Sequence, residues 1–136
     1  MPESFASRFE SAWEKPTPDG LVALLSEDVI IRQPHLPAIR GKAAVHREFT
    51  RLFTWIPGTH SIVKSSRESG DVAFIEHELR FPVGEKFIAL PAVDRFVLRN
   101  GLGVERVVYF DQVRLILSVF KHPSLWLGYF KYRFGS

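Results

Sequence analysis

The stretch that decides the fold is AVDRFVLRNGLGVERVVYFD, residues 92–111, in which two alternating segments flank an Asn-Gly pair. Alternation of apolar and polar residues is typical of strands with one buried face, and Asn-Gly is a strong signal for a tight hairpin turn. The stretch therefore predicts two antiparallel strands joined by a turn at 101–103.

The same period of two extends upstream of this hairpin. The segments THSIVKSSRE (59–68) and DVAFIEHELRFPV (71–83) alternate in the same way, and glycine-containing turns at 70 and 84 follow them. These patterns predict a four-strand antiparallel meander. An earlier apolar run, residues 29–33, predicts one more strand, which we expect at an edge of the sheet.

Three helices are predicted before the meander. Residues 3–15 place Phe9 and Trp13 on one face at helical spacing. The segment PDGLVALLSEDV (18–29) indicates a second, short helix, and GKAAVHREFTRLFTWIPG (41–58) indicates a third, which its Pro-Gly pair ends.

The C-terminal residues are helical in pattern, but Pro123 and Gly128 interrupt them. We expect two short helical pieces joined at KHPS. The order of elements predicts an α+β fold. We expect a single domain over residues 1–136, with a core at 1–112 and a helical extension at 113–136.

Composition excludes several classes of protein. The chain has no cysteine, which rules out disulfides, thiolate catalysis and cysteine-based metal sites. The N-terminus lacks the apolar core of a signal peptide and no stretch approaches the apolar length of a membrane span, so we expect a cytoplasmic protein. A net charge of +3 without a basic stripe gives no reason to expect nucleic acid as a partner. No pair of histidines has ligand spacing with a carboxylate, so no metal is expected.

Residues 92–111, read together with LLSEDVIIRQP (24–34), resemble the nuclear transport factor 2-like superfamily, and within it the branch of SnoaL-like polyketide cyclases and ketosteroid isomerases. The resemblance runs from the first helix to Asp111. It implies a cone-shaped, curved mixed or antiparallel sheet with three N-terminal helices on its concave face, enclosing an apolar pocket open at one end. It also implies a homodimer formed through the outer sheet face, a small hydrophobic ligand and no cofactor.

The catalytic groups of ketosteroid isomerases are only partly present. The resemblance places Gln33 where those enzymes have a proton-shuttling Asp, and Phe9 where they have an oxyanion-binding Tyr. Their second oxyanion donor, a protonated Asp, corresponds to Asp94 in VDRFVL. Because an amide cannot act as a general base at neutral pH, isomerisation by that route is not expected.

The epoxide hydrolases of the same superfamily match no better. Their water-activating Asp corresponds to Val108, with Arg106 at the neighbouring inward position. Their water-holding Tyr and Asn correspond to Ile31 and Gln33. An upstream acid corresponds to Glu76, which together with Gln33 could line a polar part of the pocket.

Asp94 and Arg106 are the strongest candidates from the residues themselves. Asp94 stands in an otherwise apolar row of its strand; if that row faces inward, burial would raise the pKa of its carboxyl and make it a neutral donor or a base. Alternatively, it caps a turn or pairs with Arg95 or Arg106. Arg106, if it faces inward, is a buried cation whose partner would be Asp94 or Glu76, and such an ion pair would keep Asp94 ionised.

Glu76 and His35 are further candidates for catalytic proton transfer. Glu76 belongs to a charged row that alternates with the row of His77 in FIEHELRF. Either the charged row faces solvent and His77 lies under a neighbouring side chain, or Glu76 faces the cavity as a base. His35, two residues after Gln33, either supplies the missing base or is a hydrogen-bonded surface histidine.

The remaining candidates are ligand-binding side chains of the pocket wall. They are Gln33, Arg106, Phe9, Trp13, Ile31, Phe53, Phe96, Val108 and Phe110. We expect the aromatic residues on the helices to be core first and pocket wall second. Tyr109 and Asp111 are expected to point away from the pocket.

The C-terminal extension combines aromatic and basic residues. From Val113 to Ser136 there are four basic residues and no acid. Such a segment could cap the open end of the cone, pack across a dimer, or lie on an anionic membrane surface. Capping or a dimer contact is preferred, because apolar rings on a compact domain usually find a protein surface.

Two functions are compatible with these residues. The first is an enzyme-like domain that performs cofactor-independent acid–base chemistry, as an isomerase, cyclase or hydratase would, on a small hydrophobic molecule with Asp94 as the principal polar group. The second is a non-catalytic module that binds a small ligand or dimerises, which the missing Tyr and Asp favour.

Overall fold

The computed structural model describes residues 3–34 and 36–134, without the side chains of residues 129, 130, 133 and 134. The elements in chain order are α1 (Phe5–Glu14), α2 (Pro18–Val22), β1 (Leu25–Arg32), β2 (Ile39–Arg40), α3 (Lys42–Trp55), β3 (His60–Ser69), β4 (Val72–Val83), β5 (Lys86–Arg99), β6 (Leu102–Phe110), α4 (Gln112–Phe120), a 3₁₀ turn (Pro123–Leu125) and α5 (Trp126–Phe134).

The six strands form one curved sheet in the order β2-β1-β6-β5-β4-β3. Strands β3 to β6 are the predicted antiparallel meander. The turn between β5 and β6 is at Asn100 and Gly101, whose φ angles of 53° and 76° are those of the tight hairpin turn that Asn-Gly favours. The α+β prediction is confirmed.

The strand before the meander does not lie at the edge of the sheet. β1 pairs in parallel with β6, with Ile31 opposite Arg106, and the two-residue β2 covers its other side. The edge prediction was wrong because residues 39–40 fold back along β1. There the N–H of Gly41 donates to the carbonyl of Val29 at 2.7 Å.

β1 also begins earlier than predicted, and the second helix is correspondingly shorter. α2 covers only Pro18–Val22 of the predicted 18–29. Leu25 is already paired with Gly103 of β6, and the N–H of Gly103 donates to the carbonyl of Leu24 at 2.9 Å. Hydrogen bonds to a distant strand therefore overrode the local helical period.

Helices α1 and α3 pack on the concave face and fill one end of the cone, which we call the closed end. α1 begins after Ser4, whose hydroxyl accepts from the N–H of Ser7 at 3.1 Å. The ring centroid of Phe9 lies 6.1 Å from that of Trp13 and 5.8 Å from that of Phe96. These tilted and edge-on ring contacts make the closed end a densely packed aromatic core.

The C-terminal extension covers the opposite, open end of the sheet. Val119 of α4 and Leu125 of the 3₁₀ turn are buried against Ile88 and Leu90 of β5. The predicted break at KHPS is confirmed, because α4 ends at Phe120 and the turn begins at Pro123. None of the described helices is long and apolar enough to cross a bilayer.

Gly128 does not interrupt the second helical piece, contrary to expectation. α5 runs through it from Trp126 to Phe134. A Cβ at this position would overlap the indole of Trp55 in α3, so the glycine allows the two helices to approach closely. The ring of Tyr132 stacks on the same indole with 5.1 Å between centroids.

Candidate functional site

Four polar side chains meet on the concave face of the sheet. Ser61, His77, Asp94 and Arg106 come from β3, β4, β5 and β6 respectively, and each occupies an inward position. Their exposed fractions lie between 0% and 8%. We call these four residues the buried polar cluster.

A continuous chain of hydrogen bonds joins the cluster. Arg106 donates from Nε and Nη2 to Oδ2 of Asp94, at 2.7 and 2.6 Å. Oδ1 of Asp94 lies 3.0 Å from Nε2 of His77, and Nδ1 of His77 lies 2.6 Å from the hydroxyl of Ser61. We assign a proton to Nε2 of His77, which donates to the carboxylate, so that Nδ1 accepts from the Ser61 hydroxyl, and the same hydroxyl lies 3.2 Å from the carbonyl of Glu78.

The carboxyl of Asp94 is held in its ionised form. Burial raises its pKa, but the charge of Arg106 and the hydrogen bonds from His77 and Arg106 outweigh that effect, so the pKa lies below its ordinary value. The expected rise in the pKa of Asp94 was therefore wrong. The alternative expectation of an ion pair with Arg106 is confirmed, whereas Arg95 binds Glu105 instead, at 2.8 Å.

Aromatic rings close the cluster on the side of the closed end. The ring of Phe9 meets the imidazole of His77 edge-on, with 5.3 Å between centroids. The guanidinium of Arg106 lies 5.8 Å from the centroid of Phe96. The void among these residues has a volume of only about 10 Å³, which is no larger than one water molecule needs.

A larger cavity, of about 100 Å³, lies at the open end beneath the C-terminal extension. Its wall is apolar apart from the amide of Gln33, the indole N–H of Trp55 and the hydroxyl of Tyr132. The apolar part comes from the inner rows of the sheet and from the extension: Leu79, Leu90, Phe110, Leu115, Val119 and Leu125.

The cavity lies about one strand repeat from the buried polar cluster. Leu79 lines the cavity two residues after His77, and Gln33 lines it two residues after Ile31, the partner of Arg106 in the sheet. Two residues along a strand span about 7 Å. The cluster therefore lies under the cavity floor, separated from it by apolar side chains.

Tyr132 closes the cavity on the side of α3. Its hydroxyl donates to the carboxylate of Glu48, and burial together with that negative charge raises the pKa of Tyr132 well above its usual range. The guanidinium of Arg51 lies 5.6 Å from the centre of its ring and donates to its backbone carbonyl. Tyr132 is therefore a neutral, doubly anchored wall residue.

The structure divides the predicted ligand-binding residues between the two ends. Gln33 and Phe110 line the cavity at the open end, and Arg106 belongs to the buried polar cluster. The others pack in or against the interior of the molecule and do not line that cavity: Phe9, Trp13, Ile31, Phe53, Phe96 and Val108. Their rings and methyl groups pack against one another, and the void beside Phe9, Trp13 and Phe96 has a volume of only about 10 Å³.

Of the three predicted catalytic residues, only Asp94 faces inward among those described. Glu76 is exposed, and its carboxylate accepts from the hydroxyl of Ser65 at 2.9 Å. The functional interpretation of Glu76 fails because its strand turns the charged row outward and buries His77. His35 lies outside the described residues.

Two residues of the buried polar cluster, Ser61 and His77, are not among the predicted site residues. The row Ile75, His77, Leu79 in β4 carries the signal, since a histidine in an apolar inward row needs hydrogen-bond partners. Ser61 could not be found in this way, because its contact with His77 depends on the register between β3 and β4. Tyr109 is exposed and Asp111 caps α4, so both point away from the cavity as expected.

A family model described as a SnoaL-like domain matches residues 6–106 of the chain. Comparison with curated proteins finds no match.

Solved structures with the same fold cover most of the chain. A ketosteroid isomerase-like protein from Catenulispora acidiphila, determined in complex with trimethylamine, has a TM-score of 0.75 at 15% identity, over 86% of this chain and 92% of that one. A candidate SnoaL-like polyketide cyclase from Jannaschia has a TM-score of 0.68 at 16% identity, over 91% and 96%. An LEH-like epoxide hydrolase from M. tuberculosis has a TM-score of 0.72 at 15% identity, over 90% and 92%. At these identities the likeness is one of fold.

Proposed function

Since the chain belongs to the family of SnoaL-like domains, whose fold is shared with polyketide cyclases and epoxide hydrolases, we propose that it binds a small apolar molecule in the cavity at its open end. The observation that carries the proposal is the cavity itself, a partly enclosed, mostly apolar space between the sheet and the C-terminal extension. Protein interiors contain few voids of this size, and ligand sites are typically apolar with a few polar groups.

The volume of the cavity limits the ligand. A dry apolar cavity of about 150 Å³ is known to hold benzene. The cavity here has about 100 Å³, so it fits a molecule of one small ring or a short branched chain. A larger ligand requires α4 and α5 to move outward.

Gln33 gives the cavity its specificity for a polar group. Its amide can donate and accept hydrogen bonds, whereas the hydroxyl of Tyr132 is already bonded to Glu48. A carbonyl oxygen on the ligand would accept from this amide. We therefore favour a small carbonyl compound over a pure hydrocarbon.

The buried polar cluster supports binding rather than acid–base chemistry. Asp94 is ionised and both of its oxygens are already bonded, so it offers no proton to a ligand. Its distance from the cavity, beneath Leu79 and Leu90, also separates it from any ligand there. The cluster then serves to fix β3, β4, β5 and β6 under the cavity floor.

Ligand binding is tested with benzene and cyclohexanone as probes, observed by shifts in the NMR signals of the cavity residues. Leu115→Phe fills the cavity from α4 and should abolish binding of both probes. The matched control, Ile116→Phe, adds the same group to the outer side of the same helix and should leave binding unchanged. Gln33→Leu should weaken cyclohexanone binding several-fold and spare benzene. Absence of any shift with the wild-type protein would refute the proposal.

A second candidate function is proton transfer through Ser61, His77 and Asp94. The observation in its favour is their hydrogen-bonded order, in which His77 could take a proton through Ser61 while Asp94 stabilises the resulting imidazolium. It requires the layer of Leu79 to open towards the cavity. The measurement is exchange of the α-protons of cyclohexanone in D₂O: catalysis predicts exchange that His77→Gln abolishes. Exchange at the buffer rate would exclude it and leave the binding proposal intact.

We also propose that two copies of the chain associate through the outer face of the sheet. Phe74 and Tyr109 are 47% and 53% exposed on this face, and Val93 lies beside Tyr109 in the sheet. Light scattering should give the mass of a dimer for the wild type and of a monomer for Tyr109→Glu, while Arg47→Glu on the exposed side of α3, on the other side of the sheet, should remain dimeric. A monomeric wild type would contradict this proposal.

A further inference from the structure

The C-terminal extension carries an exposed apolar surface. Six large side chains contribute to it, with exposed fractions between 37% and 69%: Val113, Ile116, Leu117, Phe120, Trp126 and Leu127. We call them the apolar patch. Single exposed apolar residues are common, but contiguous ones mark a surface that binds a partner or a membrane.

The patch is not needed to hold the helix on the domain. Successive helical residues are rotated by about 100°, which places Val113, Ile116, Leu117 and Phe120 on one side of α4. The other side of the helix carries Leu115 and Val119, and these already pack against the open end of the sheet. α4 is thus apolar on two sides: the inner side packs on the core, and the outer side is exposed.

Trp126 is fixed in place within the patch. Its ring meets that of Phe120 edge-on, with 6.0 Å between centroids. Its indole Nε1 donates to the carbonyl of Val119 at 2.9 Å. The first turn of α5 therefore extends the outer face of α4 as one rigid apolar surface.

The charged side chains of the extension itself are all basic. Arg114 and Lys121 follow Leu117 round the helix on the same flank, and both are exposed, as is Lys131. Within the described ranges no ion pair engages these three side chains. From residue 113 to residue 136 the chain contains no acid, and the nearest one before it, Asp111, caps α4.

We propose that the apolar patch docks on an anionic lipid surface, with α4 lying parallel to the membrane plane. Apolar side chains including Trp and Phe next to unpaired Arg and Lys are the combination by which interfacial helices bind such surfaces. A second copy of the chain fits less well, because a symmetric contact would oppose the same cations with no acid in the segment to pair them. The docking concerns the outer side of α4 and does not depend on occupation of the cavity.

The test is sedimentation of the wild-type protein with vesicles of phosphatidylcholine alone or mixed with phosphatidylglycerol. We expect binding to the mixed vesicles and little to the neutral ones. Leu117→Gln combined with Phe120→Gln should lower the partition coefficient about tenfold or more, since two large apolar side chains no longer leave water. Arg114→Gln combined with Lys121→Gln should lower it about tenfold on the mixed vesicles only.

Matched controls distinguish binding through the apolar patch from nonspecific hydrophobic binding and from nonspecific attraction of positive charge. Phe87→Gln changes an equally exposed ring on β5, and Lys64→Gln with Arg67→Gln removes the same charge from β3; both should bind as the wild type does. The proposal is overturned if the wild type does not sediment with mixed vesicles. It is also overturned if binding persists in the Leu117 and Phe120 variant, or if that variant abolishes only self-association.

Discussion

The two ends of the cone are built from the same strands but differ in how densely they are packed. At the closed end, Phe9, Trp13 and Phe96 fill the space, and four polar groups satisfy one another beside them. At the open end the inner rows of β4 and β5 leave a cavity of about 100 Å³, and the C-terminal extension covers it. A buried charge network is stable only when every polar group in it has a hydrogen-bond partner in a fixed position. A ligand cavity requires walls that can move apart to admit the ligand. We therefore expect stability to depend mainly on the closed end and the proposed ligand binding on the open end.

The largest expected effect comes from breaking the charge network at the closed end. Asp94→Asn removes the negative charge and leaves Arg106 buried without its counter-ion, which should lower the free energy of unfolding by about 3–5 kcal/mol. Urea denaturation measures this. The partly exposed ion pair of Arg95 and Glu105 provides a control, since Glu105→Gln should cost at most about 1 kcal/mol.

Replacing both charges gives a sharper form of the same experiment. Asp94→Leu together with Arg106→Met removes the two buried charges at once, and this double variant should recover much of the stability lost by Asp94→Asn. Equal losses in the single and double variants would show that the ion pair is not what stabilises the closed end.

The next effect concerns the open end alone. Gly128→Ala places a methyl group in the indole of Trp55 and should push α5 off α3, at a cost of about 1–3 kcal/mol. Hydrogen exchange should accelerate in α4 and α5 and stay unchanged in β4 and β5 near Asp94. Leu127→Ala, one residue away and 69% exposed, is the control and should leave both ends unchanged. Uniform acceleration would mean that the two ends unfold together.

A smaller effect is expected from pH, and it again reports the closed end. The pKa of Asp94 is lower in the folded protein than its ordinary value of 3.8, so the folded state binds this proton less readily than the unfolded chain does. Its stabilising contribution is complete above the unfolded pKa and is lost as pH falls through the folded one. Urea midpoints measured from pH 6 down to pH 2 should fall in the wild type and fall less in Asp94→Asn.

The two ends also differ in how far the sequence predicted them. Period-two alternation and the Asn-Gly turn predicted the meander, and the apolar row around Asp94 predicted its inward side chain, because both depend on local pattern. The partners of Asp94 depend on register: Asp94 lies opposite Ile75 and Val108, and reaches His77 and Arg106 only diagonally. The cavity wall could not be predicted from the sequence, because it depends on where the C-terminal extension packs. That packing involves the close contact of Gly128 with Trp55, which no periodic pattern indicates.

The smallest expected change in the free energy of unfolding comes from a substitution on the outer face of β4, compared with one on its inner face. Glu76→Gln should change the free energy of unfolding by less than about 0.5 kcal/mol, because the carboxylate is exposed and bonded only to the surface hydroxyl of Ser65 among the described residues. The substitution His77→Gln, on the inner face of the same strand, should lower the free energy of unfolding several times more. The imidazole that hydrogen-bonds both Ser61 and Asp94 would then be lost. Binding of cyclohexanone should be the same in Glu76→Gln and the wild type. A loss of binding in Glu76→Gln would place a functional carboxylate on the face that the strand turns to solvent, and the division between a satisfied closed end and a ligand-binding open end would then have to be abandoned.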